Sequence, residues 1–261
     1  MFRIVEKSET MVQSVDRALM ILDILKQHPK GLGITELAHE LNVAKSTAHR
    51  LVSTLETYDY VTQDRETSRY SLGLKFLEMQ QVVMENMDIV AVAHPILEAL
   101  TEECGEISHL VMRDHFDVVY IDKVESAVST IRIYSRTGKR APIYCTAVGK
   151  AIAAHFDESL LQEYVEQAAF QPLTRHTISE PKAFKAALQK VLTDGYAEDN
   201  EEHEEGIRCI GAPIFNHLGQ VPYAISITGP LARMTDARLQ TLIPRLKQAA
   251  AAISQNIGYR K

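Results

Sequence analysis

The sequence predicts an α+β protein in two parts: a winged helix-turn-helix first, then a mixed helix and strand domain, joined by a helix. Three observations carry this. Residues 33–73, GITELAHELNVAKSTAHRLVSTLETYDYVTQDRETSRYSLG, hold two short helical patterns, a tight turn and a paired two-residue alternation. Farther along, strand-like runs are grouped with helical patterns before, between and after them, as in an antiparallel sheet covered by helices. Between the two, Leu74 to Met87 reads as a linker helix whose Leu77, Val83, Met84 and Met87 are more apolar than a solvated connector needs, which fits either dimer contacts or packing on its own domain. The boundaries expected are residues 11–73, 74–87 and 88–261.

Residues 1–10 read as a disordered arm. A helix over Val12–Gln27 follows, with Val15, Ala18, Leu19, Leu22 and Leu25 on one face and Ser14 or Asp16 as cap. It stops at His28-Pro29-Lys30-Gly31. The next helix, Thr35–Leu41, takes Thr35 as N-cap and turns Leu37, Ala38 and Leu41 inward. After the turn Asn42-Val43, a helix over Ala44–Glu56 buries Ala48, Leu51, Val52 and Leu55. Its other face carries Lys45, Ser46, Thr47, His49, Arg50 and Ser53. Small polar and cationic groups on the first turns suit a helix that enters the DNA major groove, with its N–H groups toward phosphate. Tyr60–Thr62 and Tyr70–Leu72 pair as a wing around the loop Asp64–Arg69, where Arg65 and Arg69 can reach the backbone or minor groove. A plain helical hairpin with a solvated face would share the two-helix pattern, and the wing weighs against it.

Charge agrees once it is read locally. The 261 residues carry a net charge of −6, but residues 44–75 hold five cations against four anions, and acidity gathers at Glu198–Glu205. Such a reader depends on a specific dimeric DNA site more than on non-specific attraction. No apolar run approaches a membrane span, and MFRIVEKSET is too polar for a signal peptide, so the expectation is a cytoplasmic protein without a membrane partner. Three scattered cysteines suggest neither a disulfide framework nor a zinc finger.

In the second part, Ile89–Glu103 reads as a helix interrupted at His94-Pro95, Ile107–Met112, Asp117–Lys123 and Thr130–Tyr134 as strands, and Ala147–Phe156 and Pro181–Thr193 as helices. Two more strands, Ile207–Phe215 and Val221–Thr228, precede a long helix over Thr235–Ile257. Alternation puts Ile207, Cys209 and Gly211 on one face, and Ala224, Ser226 and Thr228 on one face. Buried hydroxyls need partners, and these suit the oxygens of a small ligand. Thr146-Ala147-Val148-Gly149 opens a helix whose N–H groups can hold an anion. Cys209 reads equally as an ordinary buried thiol. Asp199, Glu202, His203 and Glu205 read as a water-facing acidic turn rather than a metal site, and Lys150 as a solvent-facing or capping side chain, since Gly149-Lys150 lacks the phosphate-loop pattern. Neither a metal nor a cofactor is expected.

Residues 195–216, GYAEDNEEHEEGIRCIGAPIFN, are similar to the signature of the IclR family of transcriptional regulators at Gly195, Asp199, Glu202, Cys209, Gly211, Phe215 and Asn216. The resemblance covers almost the whole chain and implies a winged helix-turn-helix, a linker helix and a GAF-like effector-binding domain. It implies effector contacts at Ile133, Ala141, Ala147, Val148, Asp199, Ile207, Cys209, Ser226 and Thr228, with the effector carboxylate at Ala147 and Val148. Glyoxylate sensors of the family are similar but carry Gly-Ala where Ala147-Val148 stand and Ser where Thr228 stands, and the added bulk argues against glyoxylate. Residues 131–151 and 198–215 look closest to the 2-keto-3-deoxygluconate regulators, with Arg132, Tyr134 and Arg140 as further candidates for a polyhydroxy acid. The implied protein is a ligand-responsive repressor of a catabolic operon. It senses a small organic acid such as a sugar-derived keto acid and binds a pseudo-palindromic operator as a homodimer or dimer of dimers. The alternative is an enzyme acting on a sugar acid with an appended DNA-targeting domain, and no base–nucleophile constellation in the sequence favours it.

Overall fold

The computed structural model describes residues 12–85, 88–125 and 136–260. The expected arm, the strand Thr130–Tyr134 with Arg132, Ile133 and Tyr134, Met87, and the side chains of Val83 and Met84 lie outside the described residues. The chain divides into two compact units between Met87 and Asp88.

The first unit contains α1 (Gln13–Gln27), α2 (Ile34–Glu40), α3 (Lys45–Thr57), β1 (Val61–Gln63), β2 (Tyr70–Leu72) and α4 (Lys75–Glu85). Its core gathers Ile21, Ile24 and Leu25 of α1 with Leu37, Ala38, Leu41, Ala48, Val52, Val61 and Tyr70. This corrects the face expected for α1 in part: Leu25 is buried and Leu22 packs against the core as expected, but Val15 and Leu19 are exposed, because the helix carries two apolar stripes and the domain uses the one through Ile21. Neither Ser14 nor Asp16 caps α1. Thr35 is not the cap of α2 either. The N-cap is Gly33, whose N–H donates to Glu36 Oε2 at 2.6 Å. Asn42 takes φ 51°, a left-handed turn that Asn tolerates, and so re-aims α3. β1 and β2 pair antiparallel from Val61↔Leu72 to Gln63↔Tyr70. The tip is tied by Asp64 Oδ1, which accepts the N–H groups of Glu66 and Thr67. Gly73 permits the chain to leave the wing, since a Cβ there would lie 2.1 Å from the Asp59 carbonyl oxygen.

The second unit contains α5 (Ile89–Cys104), β3 (Ile107–Asp114), β4 (Asp117–Val124), β5 (Arg140–Pro142), α6 (Ala147–Ala153), α7 (Glu158–Gln167), α8 (Pro181–Asp194), β6 (Ala197–Asn200), β7 (Ile207–Ile214), β8 (Tyr223–Pro230) and α9 (Asp236–Asn256). The α5 helix runs through Pro95 without a break, and Asp88 Oδ1 caps it by accepting the N–H of Val90. Among the described residues, six antiparallel strands lie in the order β5-β4-β3-β8-β7-β6. The short β5 and β6 and the helix α7 had no periodic signal strong enough to read.

Register assigns the two faces. Ile107↔Thr228, His109↔Ser226, Val111↔Ala224, Cys209↔Thr228, Gly211↔Ser226 and Asp199↔Cys209 are partners and therefore share a face. The opposite face carries Ser108, Leu110, Ile210, Ile225 and Ile227. There α5 packs, with Thr101 Oγ1 donating to Ser108 Oγ at 2.8 Å, and α9 lies beside α5. The first face is covered by α6, and its apolar part joins Val111, Val118, Tyr120 and Ala141 to Val148, Ile152, Tyr164, Phe170 and Phe184.

Candidate functional site

In the first unit, Lys45, Ser46, His49 and Arg50 of α3 are exposed and Thr47 is half-buried, while Ala48 and Val52 on the other side are fully buried. Helical geometry thus gathers the five polar residues on the outer surface of α3. Arg65 is exposed at the wing tip. Arg69 is engaged otherwise: Nε donates to the Gly31 carbonyl at 3.1 Å, and Nη2 lies 3.1 Å from Glu36 Oε2. It ties the wing to the loop before α2.

In the second unit, the shared face of β6, β7, β8 and β3 forms the floor of a cavity whose empty space is about 560 Å³, counting its solvent-open mouth. Seven predicted effector residues line it: Ala147, Val148, Asp199, Ile207, Cys209, Ser226 and Thr228. Ala141 is buried on β5 opposite Val118 and is not among the lining residues, and Ile133 lies outside the described residues. Gly211 lets α6 reach the sheet. A Cβ on it would stand 2.7 Å from the Ala147 carbonyl carbon and 2.8 Å from the Val148 nitrogen, so only a hydrogen can separate the two backbones. The α6 helix itself is capped by Thr146 Oγ1, which accepts the Gly149 N–H at 3.1 Å and donates to the Pro142 carbonyl.

The polar floor is a connected set. Ser226 Oγ and Thr228 Oγ1 lie 3.2 and 3.3 Å from His109 Nδ1, and 3.4 Å from each other. Burial drives the His109 imidazole down to about 3, so it is neutral at physiological pH. Cys209 keeps some accessible surface against the cavity, yet burial pushes its thiol well above the ordinary range and Asp199 adds to the effect. It is a packing and polarisable surface, not a nucleophile. Asp199 is buried, and its Oδ1 accepts the N–H groups of Glu202 at 2.8 Å and His203 at 3.3 Å. Desolvation outweighs the attraction of Lys150 and raises the carboxyl to about 7.

Two expectations are corrected here. Lys150 does not face solvent: only 4% of its side chain is exposed, and Nζ is paired with Glu202 Oε1. Likewise Asp199 and Glu202 of the acidic turn are turned inward, Asp199 to the cavity and Glu202 to Lys150. An aliphatic stem among Ala147, Ala151 and Ala153 looked like a surface lysine, because its partner lies 52 residues away. His109, Tyr120, Lys139, His203 and Glu204 also line the cavity and were not anticipated. His109 had a signal, since it alternates with Ile107 and Val111 inside an apolar strand. Lys139, His203 and Glu204 come from loops and had none. Arg140, a further candidate, lines the mouth while paired with Asp114 and Asp117. No cluster of His, Cys, Asp and Glu suited to a metal occurs among the described residues.

Comparison with known proteins agrees with both units. Residues 14–65 match the IclR helix-turn-helix domain, and residues 81–255 match the C-terminal domain of the bacterial transcriptional regulator IclR. The chain is 37% identical over 254 residues to the HTH-type transcriptional regulator KdgR of Escherichia coli K12, covering 97% of this chain and 96% of that protein. It is 36% identical over 249 residues to XynR of the same organism, covering 95% of this chain and 98% of that one. The crystal structure of Thermotoga maritima IclR superposes with a TM-score of 0.65 at 35% identity, covering 95% of this chain and 99% of that chain. The similarity to KdgR supports the subgroup read from residues 131–151 and 198–215. These relatives are regulators, which removes the alternative of a sugar-acid enzyme. The protein is a DNA-binding, ligand-responsive transcriptional regulator, and it belongs to the IclR family.

Proposed function

We propose that this protein is a cytoplasmic repressor of a catabolic operon, relieved by a small carboxylic acid such as a sugar-derived keto acid. The observation that carries the effector reading is the cavity floor, where His109, Asp199, Cys209, Ser226 and Thr228 meet on one sheet face beside the Ala147-Val148 peptide. The N–H groups of Ala147 and Val148 hold the carboxylate, and the hydroxyls of Ser226 and Thr228 hold keto or hydroxyl oxygens. Ile207 and Cys209 supply the apolar wall.

Lys45, Ser46, Thr47, His49 and Arg50 read the major groove, Arg65 contacts backbone or minor groove, and Arg69 acts mainly by holding the wing in place. The reader is a homodimer on a pseudo-palindromic operator, two dimers coupling into a tetramer. Support comes from Val12, Val15 and Leu19 on one side of α1 and from Leu74 and Leu77, all left exposed. An effector that binds one arrangement of the dimer better than the other shifts the population off the operator.

Titration calorimetry with 2-keto-3-deoxygluconate, glucuronate, galacturonate, glyoxylate, pyruvate and protocatechuate tests this. Saturable binding of one acid that also releases operator DNA is expected. No binding by any of them would refute the acid-sensor reading and leave DNA recognition standing.

A further inference from the structure

We propose that effector binding takes up one proton, and that Asp199 receives it and donates a hydrogen bond from its neutral carboxylic acid to the bound acid. The proposal rests on the acid-sensor reading above. Asp199 is 4% exposed and lines the cavity, anchored through Oδ1 by two backbone N–H groups; Oδ2 has no hydrogen-bond partner among the described residues. It pairs with Cys209, two residues from Gly211, whose Cα hydrogens abut the Ala147-Val148 peptide. Asp199 and Gly211 are thus diagonal neighbours, roughly 7–8 Å apart. A carboxylate at that peptide places two like charges within reach in a water-poor site.

Among the described residues, the cation that acts on the Asp199 carboxyl is Lys150; Lys139 and Arg140 line the same cavity from the β5 side, Arg140 paired with Asp114 and Asp117, and β3 adds the neutral His109. From α6 comes Lys150, already neutralised by Glu202. The turn after β6 supplies Glu202, Glu204 and His203, and burial together with Lys139 lowers the imidazole of His203. β7 offers the Cys209 thiol and β4 the Tyr120 phenol, each raised by burial and held neutral. Cys145 is likewise pushed up to about 12. Before any ligand enters, Asp199 sits at about 7, so it is poised between its two forms. The incoming anion moves it higher, and a proton passes from solvent buffer to Oδ2 while the effector stays a carboxylate. Binding is then independent of pH well below 7 and weakens toward tenfold per pH unit above it.

The test is calorimetry at pH 8 in phosphate and in Tris, whose ionisation enthalpies differ, using 2-keto-3-deoxygluconate and pyruvate first and then the other acids named above. The expected result is uptake of close to one proton and a roughly tenfold weaker Kd at pH 8.5 than at pH 7.5. Asp199→Asn should bind with no proton uptake and a flat pH profile. Equal heats in both buffers, or uptake that persists in Asp199→Asn, would overturn the proposal. A wild-type proton count near zero overturns the proposal even if the Asn variant does not fold. If no acid binds at any pH from 6 to 8.5, the sensor reading fails and this inference with it.

Discussion

Gly211→Ala is the most direct probe of how the sheet presents α6 to a ligand. The added Cβ would stand 2.7, 2.8 and 2.9 Å from the Ala147 carbon, Val148 nitrogen and Ala147 oxygen, where ordinary contact begins at 3.4 Å. All three are backbone atoms, so no side chain can swing away, and α6 must rise from β7 by about 0.5–0.7 Å. It cannot slide sideways instead, because its Gly149 is already seated against Ile143, whose oxygen would lie 2.4 Å from a Cβ there. Overpacking of this kind costs about 1–3 kcal/mol. For a domain of this size each kcal/mol lowers Tm by roughly 2–4 °C, so about 2 kcal/mol means a fall of roughly 4–8 °C in the effector domain. Displaced N–H groups of Ala147 and Val148 should weaken effector binding about tenfold or more. Operator affinity without effector should stay within about twofold, since the reader is a separate compact unit. Scanning calorimetry, effector titration and fluorescence anisotropy on a duplex selected from a random library measure the three. A Tm and effector Kd both equal to wild type would show that the close approach of α6 to β7 is not what builds the site.

Other outcomes follow from the same geometry. Arg50→Ala should weaken operator binding by about 1–3 kcal/mol in anisotropy titrations and leave effector affinity unchanged; an unchanged operator Kd would remove Arg50 from the interface. Ser226→Ala, which takes one hydroxyl from the His109 and Thr228 set, should weaken effector binding by roughly 1–2 kcal/mol, and calorimetry showing no loss would move the ligand elsewhere. Lys150→Met leaves the Glu202 carboxylate buried without its cation and should destabilise the effector domain by about 3–5 kcal/mol near neutral pH. The Glu202 carboxyl is already raised by burial, and loss of Lys150 raises it further. The folded state then binds more protons than the unfolded one, so stability is full in acid and is lost as pH rises through the folded value. Urea titrations at pH 5 and pH 8 should show a deficit that shrinks at pH 5; an equal deficit at both would place the effect in packing alone.

Much of this was legible because it depends on local spacing. The α3 surface follows from a 3.6-residue period that puts Ala48 and Val52 on one side and Lys45, His49 and Arg50 on the other, and the wing from paired alternation around Asp64. The strand faces followed from a period of two, so Ser226 and Thr228 could be placed together before their partner was known. α1 shows where periodicity stops: Val15 and Leu19 obey it as well as Ile21 and Ile24 do, and only packing against α3 and β2 selects the second stripe. The cap of α2 failed for a similar reason, since Glu36 reaches back to Gly33 and removes the need for Thr35.

Local spacing was enough for the helix-turn-helix with its wing and for the parity of the strands it revealed, because neighbouring residues on one helix or strand set these. Packing between distant segments is what buries Lys150, turns Asp199 and Glu202 inward, and brings His109 to the Ser226 and Thr228 floor. The Lys150–Glu202 pair joins residues 52 positions apart, and the His109–Thr228 contact residues 119 apart. A buried charge is tolerated only where its partner arrives, and that arrival is a property of strand order and of a glycine that lets α6 touch β7.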